Sequence, residues 1–351
     1  MKRHFPTSVV YALSAAALFG ASTPLAKHVL GSVPPLLLAG LLYLGSGIGL
    51  AVARLVRDRG WQPLGLPAGQ WPWLLGAVVS GGVLGPTLLM VGLATTPAST
   101  ASLLLNVEAV LTAVIAWKVF RENTDRRIVL GMVLIVAGSL LLSWPGHMTT
   151  GQGTWIGPVL IVGACLCWAI DNNLTRKVSA SDALFVAGFK GIVAGTVNTG
   201  LAFALGAHWP TPGLMLQAGA IGLLGYGVSL VLFVLALRGL GAARTGAYFS
   251  TAPFVGAALA IVMLHDSMSV WFWGAALLMG VGVWLHLTEA HSHSHTHEAV
   301  EHDHPHVHDA HHRHEHDFPW DGKEPHVHPH RHELLTHTHS HYPDVDHQHR
   351  H

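Results

Sequence analysis

The chain has 351 residues, half of them apolar, and only 11% are Asp, Glu, Lys or Arg, against about 25% in a typical soluble domain. Its 19 basic and 19 acidic side chains cancel, which supplies no net basic charge for a nucleic-acid partner. The distribution is uneven: residues 1–290 are dominated by apolar residues, Gly and Ala, whereas 291–351 are almost all polar, so a single soluble core is excluded and a bilayer is the natural solvent for the first part.

Lys2 and Arg3 precede an apolar stretch, Val9 to Phe19, with the layout of a signal peptide. Similar stretches recur along the chain, so this one reads as a retained first helix. Apolar runs, each about one bilayer long, cover 8–26, 34–56, 71–93, 98–118, 127–144, 154–174, 182–205, 213–237, 241–264 and 270–288. Thr95, Thr96 and Pro97 mark the turn between the third and fourth; Arg238, Gly239 and Gly241 mark the one between the eighth and ninth.

Charge placement fits ten passes. With the N-terminus in the cytoplasm, Lys2, Arg3, Arg54, Arg57, Arg59, Lys118, Arg121, Arg126, Arg127, Arg176, Lys177, Arg238 and Arg244 fall on the cytoplasmic side, and Lys27 falls outside. That is the positive-inside pattern, and it predicts an inner (cell) membrane protein of bacterial type with both termini cytoplasmic. Gly45, Gly47 and Gly49, Gly188, Gly191 and Gly195, and Gly219, Gly222 and Gly225 have the spacing that lets helix backbones approach in lipid. Cys165 and Cys167 sit two apart in one apolar run and read as small packing residues, not a disulfide framework.

The body repeats itself. LFGASTPLAK, ending at Lys27, matches WAIDNNLTRK, ending at Lys177, 150 residues on. PASTASLLLNVEAVLTAVIAWKVFRE matches GAARTGAYFSTAPFVGAALAIVMLHD 144 residues on. Five helices per repeat is odd, so the halves enter the membrane from opposite sides, the inverted-repeat plan of many secondary transporters. The expected fold is an all-α membrane protein of ten transmembrane helices in two inverted five-helix repeats, 8–144 and 154–288, followed by a disordered His-rich cytoplasmic tail, 289–351.

These features resemble the EamA-type transporters of the drug/metabolite transporter superfamily, over residues 8 to 288. The resemblance rests on the ten helices in two repeats, the first-helix run ALFGASTPLAK, the fourth-helix end with Glu122 after Arg121, and GAYFSTAPFVGAALA with Pro253 in the ninth helix. The fourth helix departs from it, with Ala109 standing where the repeat partner has Pro253, just after Glu108. The resemblance implies gradient-driven transport of a small metabolite, in or out, without naming the ligand.

Ionisable side chains inside a bilayer cost roughly 2.5–3.5 kcal/mol at a helix centre and are often functional. Glu108, with Asn106 nearby, lies in the fourth run; Asp171, followed by Asn172 and Asn173, in the sixth; and Lys190, two turns before Asn198, in the seventh. One reading is a polar cavity at the repeat interface, where Glu108 or Asp171 binds a proton or cation, Lys190 balances the charge and the asparagines hold substrate. The other is a buried Glu108–Lys190 pair that fixes packing, with Asp171 close to Arg176 or Lys177. Tyr248 is a weaker candidate, equally readable as a packing residue. No GxSxG, HExxH or phosphate-binding glycine loop is present, so no enzyme is expected, nor any cofactor tightly bound in the body.

The tail holds 22 of the 28 histidines: His291, His293, His295, His297, His302, His304, His306, His308, His311, His312, His314 and His316, then His326, His328, His330, His332, His337, His339, His341, His347, His349 and His351. Neutral imidazole is a good ligand for zinc, nickel, cobalt and copper, and Asp and Glu can complete a shell. With almost no apolar content the tail cannot build a core. FPWDGKEP, Phe318 to Pro325, interrupts it as a candidate docking turn.

The reading these residues support is a secondary transporter, an exporter, of a small metabolite or metal-linked solute by alternating access. Its partners are that small-molecule or ion substrate and the lipid bilayer; a homodimer is compatible. The alternative is a membrane-anchored metal-binding or sensing module that does not itself transport.

Overall fold

A computed structural model describes residues 7–60, 66–120, 126–144, 155–178, 181–287, 292–297, 301–306, 326–331 and 335–340. Two compact units divide the chain, Met1–Glu289 and Ala290–His351.

The first unit is a helical bundle. Its elements are α1 (Thr7–Leu30), α2 (Pro35–Arg57), α3 (Ala68–Thr95), α4 (Ala98–Val119), α5 (Arg126–Ser143), α6 (Ile156–Thr175), α7 (Ala183–Ala204), α8 (from Pro212 to Phe249), α9 (Ala252–Leu264) and α10 (Val270–Leu287). Among the described residues, eight helical stretches are long and apolar enough to cross a membrane, and Ala252–Leu264 and Val270–Leu285 are shorter apolar helices. Large apolar side chains face outward along them; Val56 is 73%, Leu216 76% and Val270 75% exposed. Surface of that kind is stable against lipid and not against water.

The helices are irregular at matching places. In α3 a π-helical segment, Val78–Leu84, interrupts the α-helix, and in α8 another spans Leu223–Val228. α4 breaks at Leu105 and Asn106, where Asn106 Nδ2 donates to the Leu103 carbonyl at 2.9 Å. α8 ends at Ser250 and Thr251, where Thr251 Oγ1 donates to the Tyr248 carbonyl at 2.6 Å. Pro253 follows as the second residue of α9, and a proline has no N–H to continue the ladder from Phe249. The first half breaks without a proline, because the Asn106 carboxamide takes over a carbonyl of the preceding turn. Positions 78 and 223, and 105 and 250, are each 145 apart, one residue from the offset of the sequence match.

The expected turn at Arg238–Gly241 is absent. Ser229–Phe249 is one continuous helix, so the predicted ninth run, 241–264, divides at Ser250–Thr251 instead. A single Gly–Leu–Gly stretch costs a helix about 1 kcal/mol per glycine, which neighbouring apolar turns outweigh, whereas Pro253 also lacks the N–H that would bond the Phe249 carbonyl.

Packing joins one half to the other. α2 lies along α7, α1 packs on α8 and α9, α6 packs on α3 and α4, and α5 pairs with α10. The α2–α7 contact depends on missing side chains: a Cβ on Gly191 would stand 2.7 Å from the Gly47 Cα, and one on Gly195 2.6 Å from the Leu44 nitrogen. Small residues here let backbone dispersion replace the hydrophobic effect.

Charged groups gather at two sets of helix ends. At the end of α2, Arg54 reaches Asp182 at 3.1 Å and Asp58 at 3.5 Å, while Arg57 bonds Asp58 at 2.6 Å and also pairs with Asp182. Asp182 caps α7 by accepting from the Leu184 nitrogen at 2.9 Å. The Arg57 guanidinium, with these further donors, lowers the Asp182 carboxyl to about 2. At the other set, Lys27 Nζ donates to the Ala94 and Thr96 carbonyls at 3.1 and 3.0 Å, closing the end of α3. His265 takes a left-handed φ of 53°, and Asp266 then caps α4, accepting from Ser99 N at 2.9 Å and Ser99 Oγ at 2.7 Å. Both groupings join helix ends that alternate threading places on the same side.

Among its described residues the second unit has four six-residue strands. β1 (Ser292–His297) pairs antiparallel with β4 (Leu335–Ser340), and β2 (Glu301–His306) with β3 (His326–Arg331). The sequence reading expects no structure here. His alternates with Ser and Thr in β1 and β4, and with Glu, Asp, Pro, Val or Arg in β2 and β3. Arg121, Glu122, the candidate docking turn and His291, His308, His311, His312, His314, His316, His332, His341, His347, His349 and His351 lie outside the described residues.

Candidate functional site

The π segment of α3 organises the interior. Widening the helix exposes carbonyls to side-chain donors: the Gly81 carbonyl accepts from Tyr43 Oη at 2.8 Å and from Trp168 Nε1 at 3.0 Å. Next to it Ser80 Oγ donates to the Cys167 carbonyl at 2.7 Å. α2, α3 and α6 are thereby tied at one level of the bundle.

Gly81 leaves room for a charge pair. Asp171 of α6 is buried, 4% exposed, and forms an ion pair with Lys190 of α7. Thr175 Oγ1 donates to its other oxygen at 3.0 Å. A Cβ on Gly81 would collide with the Asp171 carboxylate, standing 2.5 Å from its Cβ. Gly81→Ala is therefore expected to destabilise the protein by about 1–3 kcal/mol, the usual cost of overpacking. Gly200→Ala, at a helical position where a Cβ meets nothing within 4 Å, should instead be neutral or stabilising by up to about 1 kcal/mol. Thermal unfolding of the two variants in one detergent checks this; equal midpoints would show that the Gly81 contact is loose.

Lys190 pairs with Asp171, one of the two carboxylates for which the cavity reading offers it as counter-charge, and not with Glu108 as in the packing reading. The reason is geometric: α6 and α7 flank the π segment, and Lys190 sits beside Gly82, where its Cγ would lie 3.5 Å from an added Cβ.

Glu108 lies midway along α4, in the first turn after the break. It is half-buried and accepts from Asn172 Nδ2 at 2.9 Å. The same amide lies 3.5 Å from Thr112 Oγ1. Asp171 and Lys190 are within electrostatic range of Glu108. Asn172 is exposed, and lipid around an exposed carboxamide beside a half-buried carboxylate would penalise both.

The other predicted polar residues do different work. Asn106 is buried and holds the α4 break. Asn173 donates to the Ala169 carbonyl at 2.8 Å, while its Oδ1 is buried without a hydrogen-bond partner. Asn198, fully buried, sets its Nδ2 3.4 Å from the Val83 carbonyl, against the π segment. Tyr248 contributes its backbone carbonyl to the break before Pro253 and does not join the charged group.

An aromatic wall was not visible in the sequence. Tyr43 and Tyr226 have ring centroids 5.7 Å apart, and Phe19 meets Tyr226 edge-on at 5.9 Å and Phe249 at 5.3 Å. Tyr226 lies in the π segment of α8 as Gly81 does in that of α3. Tyr43 links this wall to the charged group through Gly81. Only single aromatics in apolar runs announce these residues, and such residues are usually packing. Among the residues with described side chains, no group of three or more His, Cys, Asp or Glu is placed to hold a metal.

A bundle of apolar helices with matching irregularities in its two halves and a charged group between them defines a polytopic membrane protein with internal duplication. The EamA-like transporter family model matches it twice, over residues 6–144 and 155–288, and the chain belongs to that family. It is similar to an uncharacterized transporter of Methanothermobacter thermautotrophicus, 28% identical over 77% of this chain and 83% of that protein. It is also similar to the uncharacterized transporter YvbV of Bacillus subtilis, 29% identical over 46% of this chain and 52% of that one. A protein known from a crystal structure shares the fold with a TM-score of 0.59 at 19% identity, over 80% of this chain and 95% of that one. The chain is a membrane transporter and not an enzyme.

Proposed function

We propose that the chain is a secondary exporter that moves a small metabolite or metal-linked solute by alternating access, in a bacterial-type inner membrane with both termini cytoplasmic. Glu108, held by Asn172 at 2.9 Å beside the Asp171–Lys190 pair, is the observation that carries the reading. A carboxylate in contact with an exposed amide, next to a charge pair that can exchange partners, is able to bind and release a proton or cation as solute enters. Asn172 is the substrate-contacting amide and the Phe19–Tyr43–Tyr226 wall the apolar face of the same chamber. The ion network at the ends of α2 and α7 and the capping of α3 and α4 by Lys27 and Asp266 close opposite ends in turn. The tail binds zinc, nickel, cobalt or copper through its histidines and presents metal to the exporter or adjusts it.

Flux through proteoliposomes containing the full chain, or a version ending at Glu289, tests this with zinc, nickel and cobalt, with and without a pH gradient. Gradient-dependent metal flux in both, weaker without the tail, makes metal the cargo and the tail its collector. Metal bound by the full chain without flux in either assigns the tail to buffering or sensing and the cargo to organic solutes. A body that carries neither metal nor organic solutes under any gradient would defeat the transporter reading.

A further inference from the structure

We infer that two helix crossings are the gates of the chamber: α1 on α9, which the structure holds shut, and α6 on the second part of α4, which it holds open. The inference rests on the alternating-access reading and adds which residues part and which close.

The duplication relates the two crossings. Each brings the first helix of one repeat onto a segment of the other repeat that starts just past a helix break. α1 meets α9, which follows the break at Ser250–Thr251, and α6 meets the part of α4 that follows Leu105–Asn106. By the offsets of the duplicated segments, Gly20 and Ser22 of α1 correspond to Ile170 and Asn172 of α6. Ala252 and Gly256 of α9 correspond to Glu108 and Thr112 of α4. If the repeats exchange conformations, the crossings exchange with them.

The corresponding places differ. At α1–α9 backbone meets backbone: a Cβ on Gly20 would collide with the Ala252 carbonyl and stand 3.1 Å from the Gly256 nitrogen, and one on Gly256 would stand 2.7 Å from the Gly20 carbonyl oxygen. Gly20, Ser22, Ala252 and Gly256 are all buried. Ser102 of α4 covers the same spot, its Oγ 2.8 Å from that added Cβ on Gly256. Ser102 is 1% exposed, and its hydroxyl has no hydrogen-bond partner. An unsatisfied buried hydroxyl costs free energy for as long as the crossing stays shut, and parting the helices to water removes that cost. At α4–α6 side chains span the crossing instead. Asn172 Nδ2 reaches Glu108 Oε1 at 2.9 Å and lies 3.5 Å from Thr112 Oγ1; Asn172 is exposed, and Glu108 and Thr112 are half-buried. Lipid would penalise these groups, so the face they share is the mouth of the chamber. One crossing is sealed by absent side chains and the other is propped by present ones.

Side-resolved cysteine labelling of the full chain tests this. In a background of Cys165→Ala and Cys167→Ala, Asn172→Cys and Ser22→Cys are exposed to an impermeant maleimide in intact cells and in inverted membrane vesicles. Asn172→Cys should react from one face only, and Ser22→Cys from neither. Adding Gly20→Leu, whose side chain cannot pass the Ala252 carbonyl, should favour the state with α1–α9 parted. Ser22→Cys then becomes reactive from the opposite face and Asn172→Cys is protected. The ratio of the two labelling rates should change at least tenfold, equivalent to about 1.4 kcal/mol. Gly20→Ala and Gly256→Ala should move the ratio in the same direction, and they replace Gly20→Leu if that variant does not reach the membrane. An unchanged ratio, labelling that rises at both positions, or Asn172→Cys reacting from both faces would overturn the gates and leave the chamber. Asn172→Cys reacting only with a lipid-soluble maleimide would overturn the chamber as well.

Discussion

Replacing Lys190 by Met should lower the stability of the folded protein by about 3–5 kcal/mol, because it strands the buried Asp171 carboxylate without its counter-charge. Asp171 is 4% exposed and, among the described hydrogen bonds, keeps that from Thr175 once the ammonium is gone. Asp171→Asn alone should be damaging for the mirror reason, an ammonium without its anion. The double variant should recover most of the loss, since a buried pair replaced by neutral groups is often close to neutral. Chemical or thermal unfolding of the four proteins in one detergent forms the cycle. Additive losses in the double variant would mean that the two charges do not depend on each other.

Glu108→Gln should abolish gradient-driven flux and leave the fold intact. Gln offers the same carbonyl oxygen to Asn172, so the 2.9 Å bond survives, but it cannot take up and release a proton at neutral pH. In proteoliposomes loaded with a pH dye, solute-dependent proton movement should fall to that of protein-free vesicles. Exchange of solute for solute without a gradient should continue, because it requires the chamber and not net coupling. Retention of coupled flux by this variant would remove Glu108 from the mechanism and leave its bond to Asn172 as packing alone.

The two experiments separate roles that are entangled in one cluster. The Asp171–Lys190 pair spans α6 and α7 and has a structural cost attached to either change. Glu108 opens a helix across from Asn172, and its replacement leaves every described hydrogen bond satisfiable. A stability loss therefore belongs to the first pair and a coupling loss to the second.

How far the sequence reads by itself follows from range. Bilayer-length apolar runs, the placement of Arg and Lys and the duplicated segments are local or periodic, so the membrane body and its family were legible from residues alone. Glycines such as Gly47 and Gly191 were legible as packing sites for the same reason, while which helices they join was not. The breaks show the boundary clearly. Pro24 lies inside continuous α1 while a helix ends just before Pro253, Leu105–Asn106 breaks without a proline because the Asn106 carboxamide finds the Leu103 carbonyl, and the Arg238–Gly241 turn does not form.

The sequence by itself determined that this chain is a duplicated, lipid-solvated transporter with charged residues inside its apolar runs and a histidine-rich tail. It also identified Glu108, Asp171 and Lys190 as the side chains that need an explanation. Only the tertiary structure decided their partners: Lys190 belongs to Asp171, Glu108 to Asn172, and Tyr43, Trp168 and Gly81 complete the setting. The physical reason is that intramembrane burial cost is a property of one residue type and can be read singly. The choice of counter-charge depends on where a π segment widens α3 and how closely α6 and α7 flank it, which is set by packing between residues far apart in the chain, from 38 positions for Tyr43 and Gly81 to 87 for Trp168 and Gly81.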